Sequence, residues 1–468
     1  MLKNKANLEK PGWIESQARL KRATVKKRFT ANTVKVSGAF VVFLAVFFGI
    51  PTGLGSKSDF NAQTQPALSN QNNRDARNTS ITFSDKKDVQ AWLDSSSFLN
   101  LRYQSFDFSA NGLKCRVKTS LDMNLQHFLL EKLNMSTSRY IGIVGMDPAT
   151  GRILSMVGYD KTNRSGNPCI DSKFPAASIF KIVTASAAVE TCGFHMGSKL
   201  MYNGNKYTLY KSQLKDRVNR NTHRITFEDS FAQSVNPVFG KIGAYYLGKS
   251  TLGNFAAAFG FNQSIGFEIQ LAPSRVSFSD DPYQLAEVAS GYNLETKISP
   301  LHGAVMASAI LNQGRMVEPT IVDQIIDENG RVLYRGHLIT LNQAITPQAS
   351  FVVNNLMGTT ITSGTCKKAF RGLKKDKILS RLNIGGKSGS IDNESHDARY
   401  DWFVGFAEEK EGSAKIVISA MVAHEKYIGI RASEYARMAI KEYFREHFAN
   451  NQKSGQKESR YARLRDIR

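Results

Sequence analysis

The stretch that most constrains the fold is Phe174-Pro175-Ala176-Ala177-Ser178-Ile179-Phe180-Lys181 with the run Ile182 to Cys192 behind it. Pro175 has a pre-set φ and no N–H to leave unpaired, which suits a first helical turn, and Gly193 tolerates a left-handed stop. The pattern predicts a helix over about 176–192. Phe180, Ile182, Val183, Ala185, Ala187, Ala188 and Val189 put apolar groups on every face, so this helix belongs in the core and other elements must cover it on all sides. A chain of 468 residues, 41% of them apolar, can bury such a core and carry smaller appendages. Ser178 and Lys181 are three positions apart on the helix, so their side chains share a face and can meet.

S-x-x-K alone says little, because Ser84 to Lys87, Ser212 to Lys215 and Ser454 to Lys457 also match. Only the Ser178 copy opens a buried helix. Downstream lie Ser234-Val235-Asn236 and then Lys387-Ser388-Gly389. Taken singly, the first reads as a helix cap, like Ser109 to Asn111 and Ser165 to Asn167, and the second as a Gly-rich strand, echoed at Lys453-Ser454-Gly455. Their order carries the argument. With Ser178 and Lys181 they make the S-x-x-K, S-x-N, K-[ST]-G series, and the chain resembles the penicillin-binding proteins. The likeness runs from about Ser120 to Phe448. It takes in Leu121 to Gln126, Met146 to Leu154, Ile298-Ser299-Pro300-Leu301 with Asn312-Gln313-Gly314, and Asp401-Trp402-Phe403-Val404-Gly405-Phe406. Ser388 stands where threonine is commoner and Val235 fills the free middle position, but neither change removes a needed group.

The resemblance implies a monofunctional serine-type D,D-transpeptidase that cross-links peptidoglycan stem peptides through an acyl-enzyme and is blocked by penicillin. Ser178 would be the nucleophile. A serine hydroxyl needs a base within hydrogen-bond reach, and Lys181 can serve only if burial or a neighbouring cation such as Lys387 neutralises it. By the family pattern Ser234 bridges base and leaving group, Asn236 binds the substrate amide, and Lys387 and Ser388 hold the terminal carboxylate. Gly389 lets the substrate backbone lie against the strand, and the N–H groups of Ser178 and Ser390 form the oxyanion hole. A D,D-carboxypeptidase would use the same residues with water as acceptor, whereas the Asp401 to Phe406 block resembles the transpeptidase branch. A β-lactamase needs a deacylating carboxylate, and no convincing E-x-x-L-N loop lies between Ser234 and Lys387. A non-catalytic cell-wall scaffold or β-lactam sensor is the alternative from another class. No cofactor is implied, and no cysteine has a His or Cys at zinc-like spacing, so no metal is expected. His396 and Asp397 read as loop residues and Trp402 as core.

The formal charge of +22 first suggests nucleic acid. Ten Lys/Arg lie in the first 35 residues and six in the last 18, without a nucleic-acid module at either end, which reads as two solvated basic termini. Val36 to Leu54 is uncharged over 19 residues and would span about 28 Å as a helix. With its basic N-terminal flank it reads as a single-pass anchor rather than a cleaved signal peptide. The catalytic part would then lie outside a bacterial cytoplasmic (inner) membrane, where it could meet other cell-wall synthesis machinery. Cys115, Cys169, Cys192 and Cys366 would then face an oxidising space and could pair, with no connectivity readable.

The expected fold is α+β: an antiparallel sheet packed between helices, preceded by the transmembrane helix. The domains read as a cytoplasmic basic tail (1–35), the anchor (36–54), a linker and small stem region (55–135), a penicillin-binding transpeptidase domain (136–450) and a basic polar tail (451–468). Strands are expected over 140–146, 152–159, 383–391, 402–407 and 415–423, and helices over 121–133, 285–291 and 301–312. A mostly helical stretch should follow Cys192. Ala436, Ala439, Ile440, Tyr443 and Phe444 recur at helical spacing and should cover the sheet.

Overall fold

A computed structural model of the protein describes residues 83–465, residue 111 excepted. The uncharged run 36–54 and the linker 56–80 lie outside the described residues. Among the described residues no helix is long and apolar enough to cross a membrane.

The N-terminal hairpin of β1 (Ser105–Ala110) and β2 (Leu113–Thr119) is followed by a second hairpin, β3 (Ser138–Met146) and β4 (Ile153–Asp160). The middle of the chain contributes β5 (Val322–Asp327) and β6 (Val332–Arg335), and β7 (Leu382–Asp392), β8 (Arg399–Glu409) and β9 (Lys415–His424) come late. The last three join the second hairpin in an antiparallel sheet of order β7-β8-β9-β3-β4, with β7 at one edge. This is the sheet expected from both ends of the domain. The β3–β4 turn follows from its sequence: Asp147 Oδ1 accepts the N–H groups of Ala149 and Thr150, each at 2.9 Å, and Gly151 takes φ +74°.

Alternation along the strands sorts side chains to two faces. Trp402 and Val404 point into the cluster that holds Phe180, Ile182 and Val183, while Phe403 and Val422 point into the one that holds Tyr435, Ala436 and Ile440. The first face is covered by α1 (Lys181–Cys192), α2 (Asn236–Lys241), α3 (Pro282–Ser290), α4 (Pro300–Leu311) and α5 (Pro347–Thr362). The second is covered by α6 (Ala432–Arg465). Lys181 to Ala188, the first two turns of α1, are buried on all sides, whereas the last turn, Val189 to Cys192, reaches the surface at Thr191. Each core side chain in such a cluster is worth about 1.5–3 kcal/mol when fully buried, which is what fixes the helix against the sheet.

Four expectations need correction. The stretch read as a stem pairs its β2 with β5, so 83–135 joins a second sheet of order β1-β2-β5-β6. The chain after Cys192 is less helical than expected, for it contains the hairpin Lys199–Asn203 with Thr222–Thr226 and β5 and β6 besides. Residues read as a polar tail continue α6 as far as Arg465. All four cysteines are free thiols, three of them buried.

Candidate active site

Ser178, the expected nucleophile, sits on a turn rather than in a continuous helix. Ala177–Phe180 is a 3₁₀ segment, and the α-helix begins only at Lys181. The reason is Ala177, which adopts φ +48°, a left-handed conformation that an alanine takes only when its surroundings impose it. Those surroundings are visible on three sides. Trp402 Nε1 donates to Pro175 O at 2.9 Å, and Ala176 N–H donates to Thr296 O at 2.8 Å. Beneath, Gly291 at φ +65° ends α3 so close to the turn that a Cβ there would lie 1.8 Å from Ala177 O. In front, a Cβ on Gly389 would lie 3.2 Å from both Ala177 Cβ and Ser178 N. The missing side chain at Gly389 therefore makes room for the backbone of the Ser178 turn.

Lys181 is fully buried. Its Nζ lies 2.8 Å from Ser178 Oγ, 2.7 Å from Asn236 Oδ1 and 2.5 Å from the Ser290 carbonyl oxygen at the end of α3. The amide of Asn236 is oriented because its Nδ2 donates to Tyr207 O at 3.0 Å, which leaves Oδ1 facing the amine. Burial holds the Lys181 pKa well below that of an ordinary lysine, and the nearby Lys387 lowers it further. A neutral ε-amine has two hydrogens and one lone pair. Asn236 Oδ1 and Ser290 O can only accept, so they take the hydrogens, and the lone pair is left for the Ser178 hydroxyl.

Lys387, in the middle of the edge strand β7, is also fully buried, and burial pushes its pKa down to about 7. Its Nζ donates to Ser234 Oγ at 3.0 Å and to Ser388 O at 2.8 Å. Ser234 adopts φ +59° just before α2, whose cap position is Val235. The serine is therefore not a helix cap; its hydroxyl is turned to Lys387. Ser388 is half-buried, with its Oγ 2.5 Å from Thr365 Oγ1. Ser390 is exposed, and its Oγ accepts from Arg399 Nε at 2.6 Å. The structure thus brings Ser178, Lys181 and Asn236 into direct contact, links Ser234 with Lys387, and packs Gly389 against the nucleophile turn.

Several participants carried no signal in the sequence. Ser290 and Tyr207 act through backbone carbonyls, which any residue supplies. Thr365 precedes Ser388 by 23 positions, in a loop with no motif of its own. Cys366, buried beside it, is in hydrogen-bond contact with the Ser388 and Thr365 hydroxyls, and burial pushes its thiol up to about 11. Trp402 was read as core, and it is, but its indole also ties down the nucleophile turn. Asp397, a loop residue as expected, is ion-paired with Arg139 at 3.2 Å. The other S-x-x-K copies at Ser84 and Ser212 lie on the surface.

The family model for the penicillin binding protein transpeptidase domain matches residues 141–443. The chain is 23% identical over 329 residues to stage V sporulation protein D of Bacillus subtilis, an alignment covering 65% of this chain and 49% of that protein. The chain therefore spans about half the length of that relative. The D,D-transpeptidase domain of a peptidoglycan glycosyltransferase from Eggerthella lenta has the same fold, with a TM-score of 0.58 at 21% identity, covering 71% of this chain and 83% of that one. So does penicillin-binding protein A of Mycobacterium tuberculosis, solved as an imipenem acyl-enzyme, with a TM-score of 0.55 at 20% identity, covering 70% and 79%. Since the matched domain takes up more than half of the chain and contains all three motifs, the protein belongs to the penicillin-binding protein family.

Proposed function

We propose that the protein is a D,D-transpeptidase of peptidoglycan, penicillin-sensitive and acting through an acyl-enzyme on Ser178. The observation that carries this reading is the environment of Lys181, a fully buried amine within hydrogen-bond distance of the Ser178 hydroxyl, Asn236 Oδ1 and Ser290 O; in its neutral form the two acceptor-only oxygens take its hydrogens and its lone pair is left for the serine. Lys181 accepts the Ser178 proton as Oγ attacks the carbonyl of the penultimate D-alanine of a stem peptide. The N–H groups of Ser178 and Ser390 receive the oxyanion, a contribution of about 3 kcal/mol per donor. Ser234 relays the proton to the departing amine, so the peptide C–N bond breaks as the Ser178 ester forms and D-alanine leaves. An amine of a second stem peptide then attacks the ester, gives up a proton through the same groups and restores the Ser178 hydroxyl. Asn236 binds the donor's amide, and Lys387 with Ser388 and Thr365 binds its terminal carboxylate.

In this reading the run 36–54 is a single-pass anchor in the bacterial cytoplasmic membrane and the domain works on its outer side. A reporter fused after Phe448 should be active only if it functions outside the cytoplasm. The deciding experiment for the chemistry is intact-mass analysis after exposure to benzylpenicillin. One adduct is expected on the wild type and none on Ser178→Ala, and an adduct retained by Ser178→Ala overturns the assignment.

A further inference from the structure

The net charge is not confined to the two termini. Between α5 and β7, residues 367–377 hold six cations, Lys367, Lys368, Arg371, Lys374, Lys375 and Lys377, against the single carboxylate of Asp376. All six are exposed, and among the described residues none is ion-paired. Asp376 does not offset them, since Lys441 holds it at 2.7 Å and it accepts the N–H groups of Ile378 and Leu379 at 3.0 and 3.1 Å.

This segment is a built surface. Cys366, Phe370 and Leu379 are buried beneath it, the Phe370 ring lies 5.9 Å from that of Phe403, and Arg437 Nη1 donates to Ala369 O at 3.0 Å. Its apolar residues thus anchor a frame that holds six like charges close together, an arrangement that costs self-repulsion and is relieved by a polyanion.

Its position says which polyanion. Lys367 is two residues beyond Thr365, hence within about 7 Å of it along the backbone, and the Thr365 hydroxyl touches that of Ser388. Resting on the transpeptidase reading, the terminal D-alanine leaves from the Lys387 and Ser388 side of the acyl carbonyl. By microscopic reversibility the acceptor amine must enter where that amine left. The acceptor peptide is therefore drawn across Ser388 and Thr365 towards residues 367–377. We propose that this cationic platform docks the acceptor strand, an acidic stem peptide of a neighbouring peptidoglycan chain whose free carboxylates meet the six cations.

The test uses the full chain, comparing wild type with a variant in which all six cations are replaced by glutamine, and with a milder one carrying Lys374→Gln, Lys375→Gln and Lys377→Gln. Pelleting with purified peptidoglycan stripped of attached phosphate polymers should show at least tenfold weaker binding for the six-site variant at low salt. The milder variant should lose part of that affinity, and the differences should shrink in 0.5 M salt, where charges are screened within about 4 Å. Penicillin acylation of Ser178 should be unchanged in both variants. Amine labelling of the platform lysines, with the chain reconstituted in vesicles, should be suppressed by added peptidoglycan fragments. Equal pelleting of wild type and both variants overturns the proposal. So does labelling that is suppressed by phosphatidylglycerol vesicles alone, which would make the platform a membrane-facing surface. A wild type that penicillin does not acylate overturns the transpeptidase reading instead, and leaves the pelleting comparison to report polyanion binding by itself.

Discussion

Replacing Lys181 by methionine separates its chemistry from its packing. Methionine has nearly the length of lysine and is at home in an apolar site, so the helix around it, from Phe180 to Ala188, keeps its contacts. Two acceptors lose their donor, Asn236 Oδ1 and Ser290 O. An unsatisfied buried acceptor costs about 1–3 kcal/mol, while removing an amine that is solvated in the unfolded chain and buried in the folded one returns a comparable amount. The expected net change in stability is therefore within about 2 kcal/mol. Acylation should behave differently, because loss of a general base typically costs about 10²- to 10⁴-fold, or about 3–5 kcal/mol in the barrier. The assay is the second-order rate of acylation by a fluorescent penicillin, measured alongside thermal unfolding. If Lys181 is only a structural strut, Lys181→Met will acylate at nearly the wild-type rate for whatever fraction remains folded. A fall of less than about tenfold in a protein with an unchanged unfolding midpoint would therefore refute the base assignment.

Burial lowers the Lys387 pKa to about 7, so the free enzyme loses the Lys387 proton, and its attraction for a carboxylate, as pH rises through that value. Acylation by benzylpenicillin should therefore fall above about pH 7 relative to its uncharged methyl ester, and a constant ratio between pH 6 and 9 would contradict this. The same shift makes folding easier at higher pH. Between the folded pKa and about 10.4 the unfolded state binds the extra proton, so this residue's contribution to stability rises with pH across that window. Gly291→Ala should destabilise the fold by about 2–4 kcal/mol, since φ +65° and a Cβ 1.8 Å from Ala177 O leave no room. It should also slow acylation, and a normal unfolding midpoint would count against the bracing role given to Gly291. Thr365→Val should raise KM for a D-Ala-D-Ala donor with little effect on kcat, while Thr365→Ser, which keeps the hydroxyl 2.5 Å from Ser388, restores it. Equal KM values for the two variants would remove Thr365 from carboxylate binding.

What the sequence revealed and what it concealed divide along a physical line. The sheet was legible because β3, β8 and β9 are near-continuous apolar runs, the pattern of strands buried on both faces, and those strands end within three residues of the expected limits. The helix α1 was legible because its first two turns have no solvated face, and the motif residues because their types and order form a known series. Pairing of β2 with β5 was not, since it joins segments about 200 residues apart and neither strand names its partner. The conformations of Ala177 and Ser234 were hidden for a related reason. Neither residue prefers φ near +50°, so the cause lies in what surrounds it: Gly291, Gly389 and Trp402 around the first, Lys387 beside the second.

The consequence concerns how far the three motifs, read alone, can be taken as evidence of activity. Burial and Lys387 favour the neutral form of Lys181, and aiming its lone pair needs two carbonyl oxygens, one belonging to Ser290 and the other to the Asn236 side chain, which the carbonyl of Tyr207 holds in place. Asn236 belongs to the S-x-N motif, but the Ser290 oxygen that completes the pair and the Tyr207 oxygen that orients the amide belong to none, because a backbone oxygen has no residue identity. A chain that retained Ser178, Lys181, Ser234, Asn236 and Lys387 but ended α3 one residue earlier would move the Ser290 carbonyl away. Its lysine, short of an acceptor, would turn a hydrogen rather than its lone pair towards the serine. Such a protein would keep the whole motif series and lack the geometry for the serine's base. Placement of the α3 terminus by Gly291, directly under Ala177, is therefore the feature outside the motifs on which a base role for Lys181 most depends.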